Sequence, residues 1–65
     1  MTAQATKRFW IGQALVWKRL NGTRQHCYLY EIVDDERADV VFMAKDEYGS
    51  HVYLVRVLIE RLEAR

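Results

Sequence analysis

The chain reads as a mainly β domain of four to five antiparallel strands, closed by a short C-terminal helix. Three observations predict this. His26 to Val33 is the longest run of strand-favouring residues. Turn signals at Asn21-Gly22, Asp34-Asp35-Glu36-Arg37 and Asp46 to Ser50 separate it from further β-rich runs. Apolar residues make up 51% of a 65-residue chain with no proline, which suits one packed domain and argues against disorder.

Residues 1–6 are small and polar and are expected to form a flexible tail, leaving residues 7–65 as a single domain. Lys7 to Leu20 admits two readings. As a strand it holds Phe9, Trp10, Ile11, Val16 and Trp17. Alternation then puts Ile11, Leu15 and Trp17 on one face, with Gly12 allowing a bend. As a helix it stacks Trp10, Ala14 and Trp17 between a Thr6 cap and a Gly22 stop. Gly12 in mid-helix would cost about 1 kcal/mol against alanine. The strand is preferred, and the helix defines the alternative fold: helix, three-stranded antiparallel sheet, helix.

Asn21-Gly22 is a hairpin signal of the type I′ kind, which needs positive φ at both central positions. Thr23 to Val33 follows as the second strand, central and paired on both sides. Cys27, Leu29 and Val33 are expected on one face and Tyr28, Tyr30 and Ile32 on the other. Ala38 to Lys45 is the third strand, with Val40, Phe42 and Ala44 opposite Val41 and Met43. His51 to Val57 is the fourth. Val55, Leu58, Ile59 and Leu62 then fall at i, i+3, i+4 and i+7, the helical stripe behind the expected terminal helix. A 3₁₀ turn and a last short strand are the alternative.

A domain of this size buries only about 60% of its unfolded surface and is marginal alone. One cysteine excludes an intrachain disulfide. Cys27, His26 and His51 are too few for a structural zinc site, which takes four ligands. Good packing or self-association must make up the difference. Residues 1–6 lack the apolar core of a signal peptide, and no run approaches the roughly 18 apolar residues of a membrane span. With a lone thiol, this leads to an expected cytoplasmic location. Charge is divided. Lys7, Arg8, Lys18, Arg19 and Arg24 stand without any acid in residues 1–30, whereas residues 31–65 hold nine acidic and five basic side chains.

Ile11-Gly12-Gln13-Ala14-Leu15-Val16-Trp17-Lys18 resembles the opening strand of the small SH3-like and Tudor-like barrels, where a glycine precedes alternating apolar residues. Tyr30-Glu31-Ile32-Val33, a charged turn and Val40-Val41-Phe42 resemble their central hairpin. Val52-Tyr53-Leu54-Val55 followed by Leu58-Ile59-Glu60-Arg61-Leu62 is similar to their closing strand and turn. The resemblance implies an SH3-like barrel and a binding module rather than an enzyme. The plasmid-borne trimethoprim-resistant dihydrofolate reductases share that kind of ending. Their Val-Gln-Ile-Tyr active-site run is absent; the nearest stretch is Val52-Tyr53-Leu54-Val55, so the activity does not carry over. The alternative helical order resembles double-stranded-RNA-binding domains but lacks their basic motif at the start of the last helix.

No catalytic, cofactor-binding or metal-ligating set emerges. His26 and Cys27 are adjacent, so on a strand they face opposite ways and cannot serve together as base and nucleophile. Asp34-Asp35-Glu36 lacks the spacing of a calcium loop. Two binding readings remain. Lys7, Arg8, Trp10, Lys18, Arg19, Arg24 and His26 interleave cations with rings, as a nucleic-acid-binding face requires for phosphates and stacked bases. Trp17, Tyr28, Tyr30, Tyr48 and Tyr53 are instead the expected contacts of a protein partner, with Trp17, Tyr30, Phe42 and Tyr48 able to compose an aromatic cage. The leading expectation is a non-catalytic adaptor that binds a protein partner or a second copy of itself. Nucleic-acid binding through residues 7–30 is the alternative.

Overall fold

The computed structural model describes residues 9–65; the expected tail, Lys7 and Arg8 lie outside them. Five strands form one open antiparallel sheet: β1 (Ala14–Lys18), β2 (Arg24–Ile32), β3 (Arg37–Asp46), β4 (Gly49–Leu58) and β5 (Leu62–Ala64). Their spatial order is β4-β3-β2-β1-β5, so β2 is central, as its composition predicts. The strand reading of the N-terminal segment holds for Ala14–Lys18, and the helix-first alternative falls.

Two departures from expectation involve turns. The β1–β2 loop is not type I′, because Asn21 has no positive φ. Gly22 N–H donates to the Arg19 carbonyl and Arg19 N–H to that of Thr23. Gly22 itself takes φ 91°. That is a three-residue loop with a glycine bulge, the next commonest hairpin solution. Asn21 still contributes, its Oδ1 accepting from Thr23 N–H at 3.0 Å and Thr23 Oγ1 at 2.7 Å. Upstream, Gly12 at φ 88° sits third in a turn closed by Gln13 N–H on the Trp10 carbonyl, the place where a type II turn needs glycine. The chain bends there, so Ile11 is exposed rather than on the Leu15 face.

The other departure is the C-terminus, where the alternative of a 3₁₀ turn and a last short strand holds in place of the helix. No helix forms. β4 stays paired with β3 through Leu58 opposite Arg37, and Ile59–Arg61 make a single 3₁₀ turn. β5 then lies against β1, with Leu62 opposite Trp17. The helical spacing of Val55, Leu58, Ile59 and Leu62 was coincidental: Leu58 is exposed, and Val55 and Leu62 reach the core from two strands.

One face of the sheet carries the core. Leu15, Cys27, Leu29, Ala38, Val40, Phe42, Val57 and Leu62 are buried there, flanked by Phe9, Trp17, Ala44, Val55 and Ile59. A bulge between Leu29 and Glu31 makes Tyr30 an extra residue in β2. Beyond it, Ile32 sits opposite buried Ala38 and so shares its face, while Val33 leaves the strand exposed. The expected faces hold up to Leu29 and invert after the bulge.

Candidate functional site

The molecule's most unusual surface is β4. It is ten residues long and, among the described residues, pairs only with β3, so one side of its backbone is an open sheet edge. The opposite edge, β5, is three residues long. Open edges are normally shortened, bulged or guarded by lysine or proline. From Gly49 to Leu58 there is neither lysine nor proline, and the ladder with β3 runs without a register shift.

The direction of the free groups follows from the ladder. Ile59 N–H donates to the Glu36 carbonyl at 2.7 Å, which makes 36 and 59 a hydrogen-bonded pair. Antiparallel partners alternate between bonded and non-bonded pairs. Gly49, His51, Tyr53, Val55 and Val57 therefore bond to β3. Ser50, Val52, Leu54 and Arg56 turn N–H and C=O outward.

Side chains on the same strand strengthen this edge. On the face away from the core, Val52 is 70% exposed and Leu54 56%. They stand opposite Met43 and Val41, and Val41 in turn stands opposite Tyr28. Tyr28, Val41, Met43 and Val52 line a shallow groove of about 260 Å³, with His26 and Arg65 also contributing. The Arg65 guanidinium lies 4.9 Å above the Tyr28 ring and donates to the Cys27 carbonyl at 2.9 Å.

Partners of β3 on β2 run only from Ala38 to Val41. Beyond them the β3–β4 hairpin continues as a two-stranded ribbon, which is marginal by itself in water. A line of rings braces its core face: Trp17 to Phe42 at 6.1 Å, Phe42 to Tyr53 at 5.6 Å and Tyr53 to His51 at 6.4 Å. Arg19 covers Trp17 at 4.9 Å.

The partner residues expected from sequence are thus dispersed. Trp17 and Tyr53 join through Phe42 on the core face. Tyr28 lies on the outer face under Arg65, Tyr30 sits at the bulge and Tyr48 at the exposed hairpin tip. Tyr30 and Tyr48 take no part in the ring line, so the expected four-residue cage does not form. The basic set is partly neutralised. Glu63 on β5 lies 3.2 Å from Lys18 and 3.8 Å from Arg24. Arg19 is stacked on Trp17, His26 lies 3.3 Å from Arg65 and Trp10 is exposed in the turn before β1.

Val52, Leu54 and Met43 escaped notice as site residues because alternation alone marks them as ordinary strand positions. The legible signal was the lack of lysine and proline in residues 49–58. Cys27 is buried; that burial pushes its thiol up, while Arg65 and a backbone hydrogen bond at Trp17 pull it partway back. Its neutral thiol is a poor nucleophile. Among the described residues no cluster of three or more His, Cys, Asp or Glu could hold a metal, and no helix is long and apolar enough to cross a membrane. Asp39 is buried on the outer face and receives Arg56 at 3.0 and 3.4 Å, which holds the guanidinium charged. No protein-family model, curated protein or solved structure matches the chain.

Proposed function

We propose that this protein is a small non-catalytic binding module of the SH3-like kind, and that it binds a protein segment by strand addition to β4. The unguarded edge of β4 carries the reading. Its outward N–H and C=O groups supply affinity for any extended chain. Exposed Val52 and Leu54, continuous with Met43, Val41 and Tyr28, supply apolar contacts that select alternating side chains. The return of β5 to β1 supports the SH3-like reading, since it places first and last strands side by side.

The geometry favours this over nucleic-acid binding. Phosphate contacts need unneutralised cations on one face. Here Lys18 and Arg24 share Glu63.

Leu54→Pro separates the readings. It removes an outward donor and leaves the β3 bonds of Tyr53 and Val55 in place. Displayed random peptides selected against the wild-type chain are expected to alternate apolar residues and to lose binding to Leu54→Pro. Failure to select any peptide, or binding indifferent to that substitution, contradicts strand addition.

A further inference from the structure

We propose that the segment docking on β4 is β4 of a second copy, paired antiparallel about a two-fold axis at Tyr53. This rests on β4 being the binding edge and names its occupant. Three observations converge on it.

The first is overlap. In a two-fold antiparallel pair, residue i faces residue j with i + j constant. Only axes at Tyr53 or Leu54 engage nine of the ten residues of Gly49–Leu58 on both copies, 49–57 in the first case and 50–58 in the second. The axis at Tyr53 sets Val52 opposite Leu54 and Ser50 opposite Arg56, like with like. The axis at Leu54 sets Arg56 against Val52 and leaves Ser50 against Leu58. Shifting to Arg56 puts two guanidinium groups face to face.

The second is hydrogen bonding. With the axis at Tyr53, Ser50 with Arg56 and Val52 with Leu54 become the bonded pairs, each occurring twice. These are the residues whose N–H and C=O point away from β3. Tyr53 then meets its own copy as a non-bonded pair, the type with the closest side chains. No acidic residue lies in β4, and its one permanent cation, Arg56, already holds Asp39.

The third is mutual support. The distal ribbon of one copy, residues 49–52, lies against residues 54–57 of the other, where β2 backs β3. Each unsupported half of a hairpin is thereby joined to a supported half. The result is one sheet of ten strands in which neither β4 is an edge any longer, and whose apolar stripe from Tyr28 through Val52 and Leu54 runs on across the axis.

Sedimentation velocity of the full chain from micromolar to near-millimolar concentration tests the association. A concentration-dependent monomer–dimer equilibrium is expected. Leu54→Pro should remain monomeric at every concentration while keeping the wild-type far-ultraviolet circular dichroism. The register is tested separately with single cysteines in a Cys27→Ala background. Tyr53→Cys should form a disulfide-linked dimer on mild oxidation, and Val55→Cys, which would face His51, should not. A chain that stays monomeric overturns the proposal. So does a dimer indifferent to Leu54→Pro, or crosslinking through Val55→Cys in preference to Tyr53→Cys. A monomer that still selects peptides in an edge-dependent way removes the second copy and keeps the binding module; a monomer that selects none removes both.

Discussion

Leu15 and Leu62 are fully buried on neighbouring strands, and each has a defined cost. Truncating a buried leucine to alanine loses transfer energy and leaves a cavity, about 3 kcal/mol in total. In a domain this small 1 kcal/mol moves the melting temperature by roughly 4–8 °C. Leu15→Ala and Leu62→Ala should each lower it by more than about 10 °C in thermal denaturation. Gly22 gives a smaller, purely backbone effect. A Cβ there would meet nothing within 4 Å, yet φ is 91°. Gly22→Ala should cost about 1–2 kcal/mol by left-handed strain. Asp34 makes the acid side of the pH profile. Its carboxylate accepts from the backbone N–H of Glu36 and Arg37 and pairs with the Arg37 guanidinium, so its pKa is lowered. A lowered folded value means the stabilisation is complete above the ordinary carboxyl pKa of about 3.9 and is lost as pH falls through the lower folded value. Asp34→Ala should therefore be less stable than wild type near neutrality, with the gap closing in acid.

At the scale of elements, β4 separates two positions that look equivalent in sequence. Tyr53 donates to β3 and Leu54 donates outward, so proline should discriminate them. Tyr53→Pro should be less stable than Leu54→Pro by roughly 1–3 kcal/mol, the cost of a ladder acceptor left without its donor, as measured by denaturant unfolding. The strands themselves were legible because their signals are local. Val40, Phe42 and Ala44 alternate with Val41 and Met43, and Gly49 with φ 116° marks the β3–β4 turn. What was not legible was set by pairing. Val55 to Leu62 carries a helical stripe, but β3 holds residues up to Leu58 in the ladder and the core claims Leu62 through β1. Tertiary pairing outweighed local periodicity. The Tyr30 bulge inverts the faces of Ile32 and Val33 for the same reason, since register belongs to two strands and not to one. That β4 is an open edge was hidden more deeply, because which strand ends a sheet depends on the order of all five.

For the whole molecule, β5 decides the electrostatics. It brings Glu63 from the acidic half of the sequence onto Lys18 and Arg24 of the basic half, an exposed network of small energetic worth that still cancels charge. Oligonucleotides should accordingly give no salt-sensitive change in the fluorescence of Trp10 and Trp17. The core is thin for a free-standing domain, and the proposed addition of a strand to β4 would complete the sheet. Residue-resolved amide hydrogen exchange at low and high protein concentration tests this most directly. At low concentration Tyr53, Val55 and Val57 should be protected while Val52, Leu54 and Arg56 exchange freely. At high concentration the second set should become protected as well. Uniform exchange along β4 would contradict the open edge, and Val52, Leu54 and Arg56 left unprotected at every concentration would contradict its pairing with a second copy.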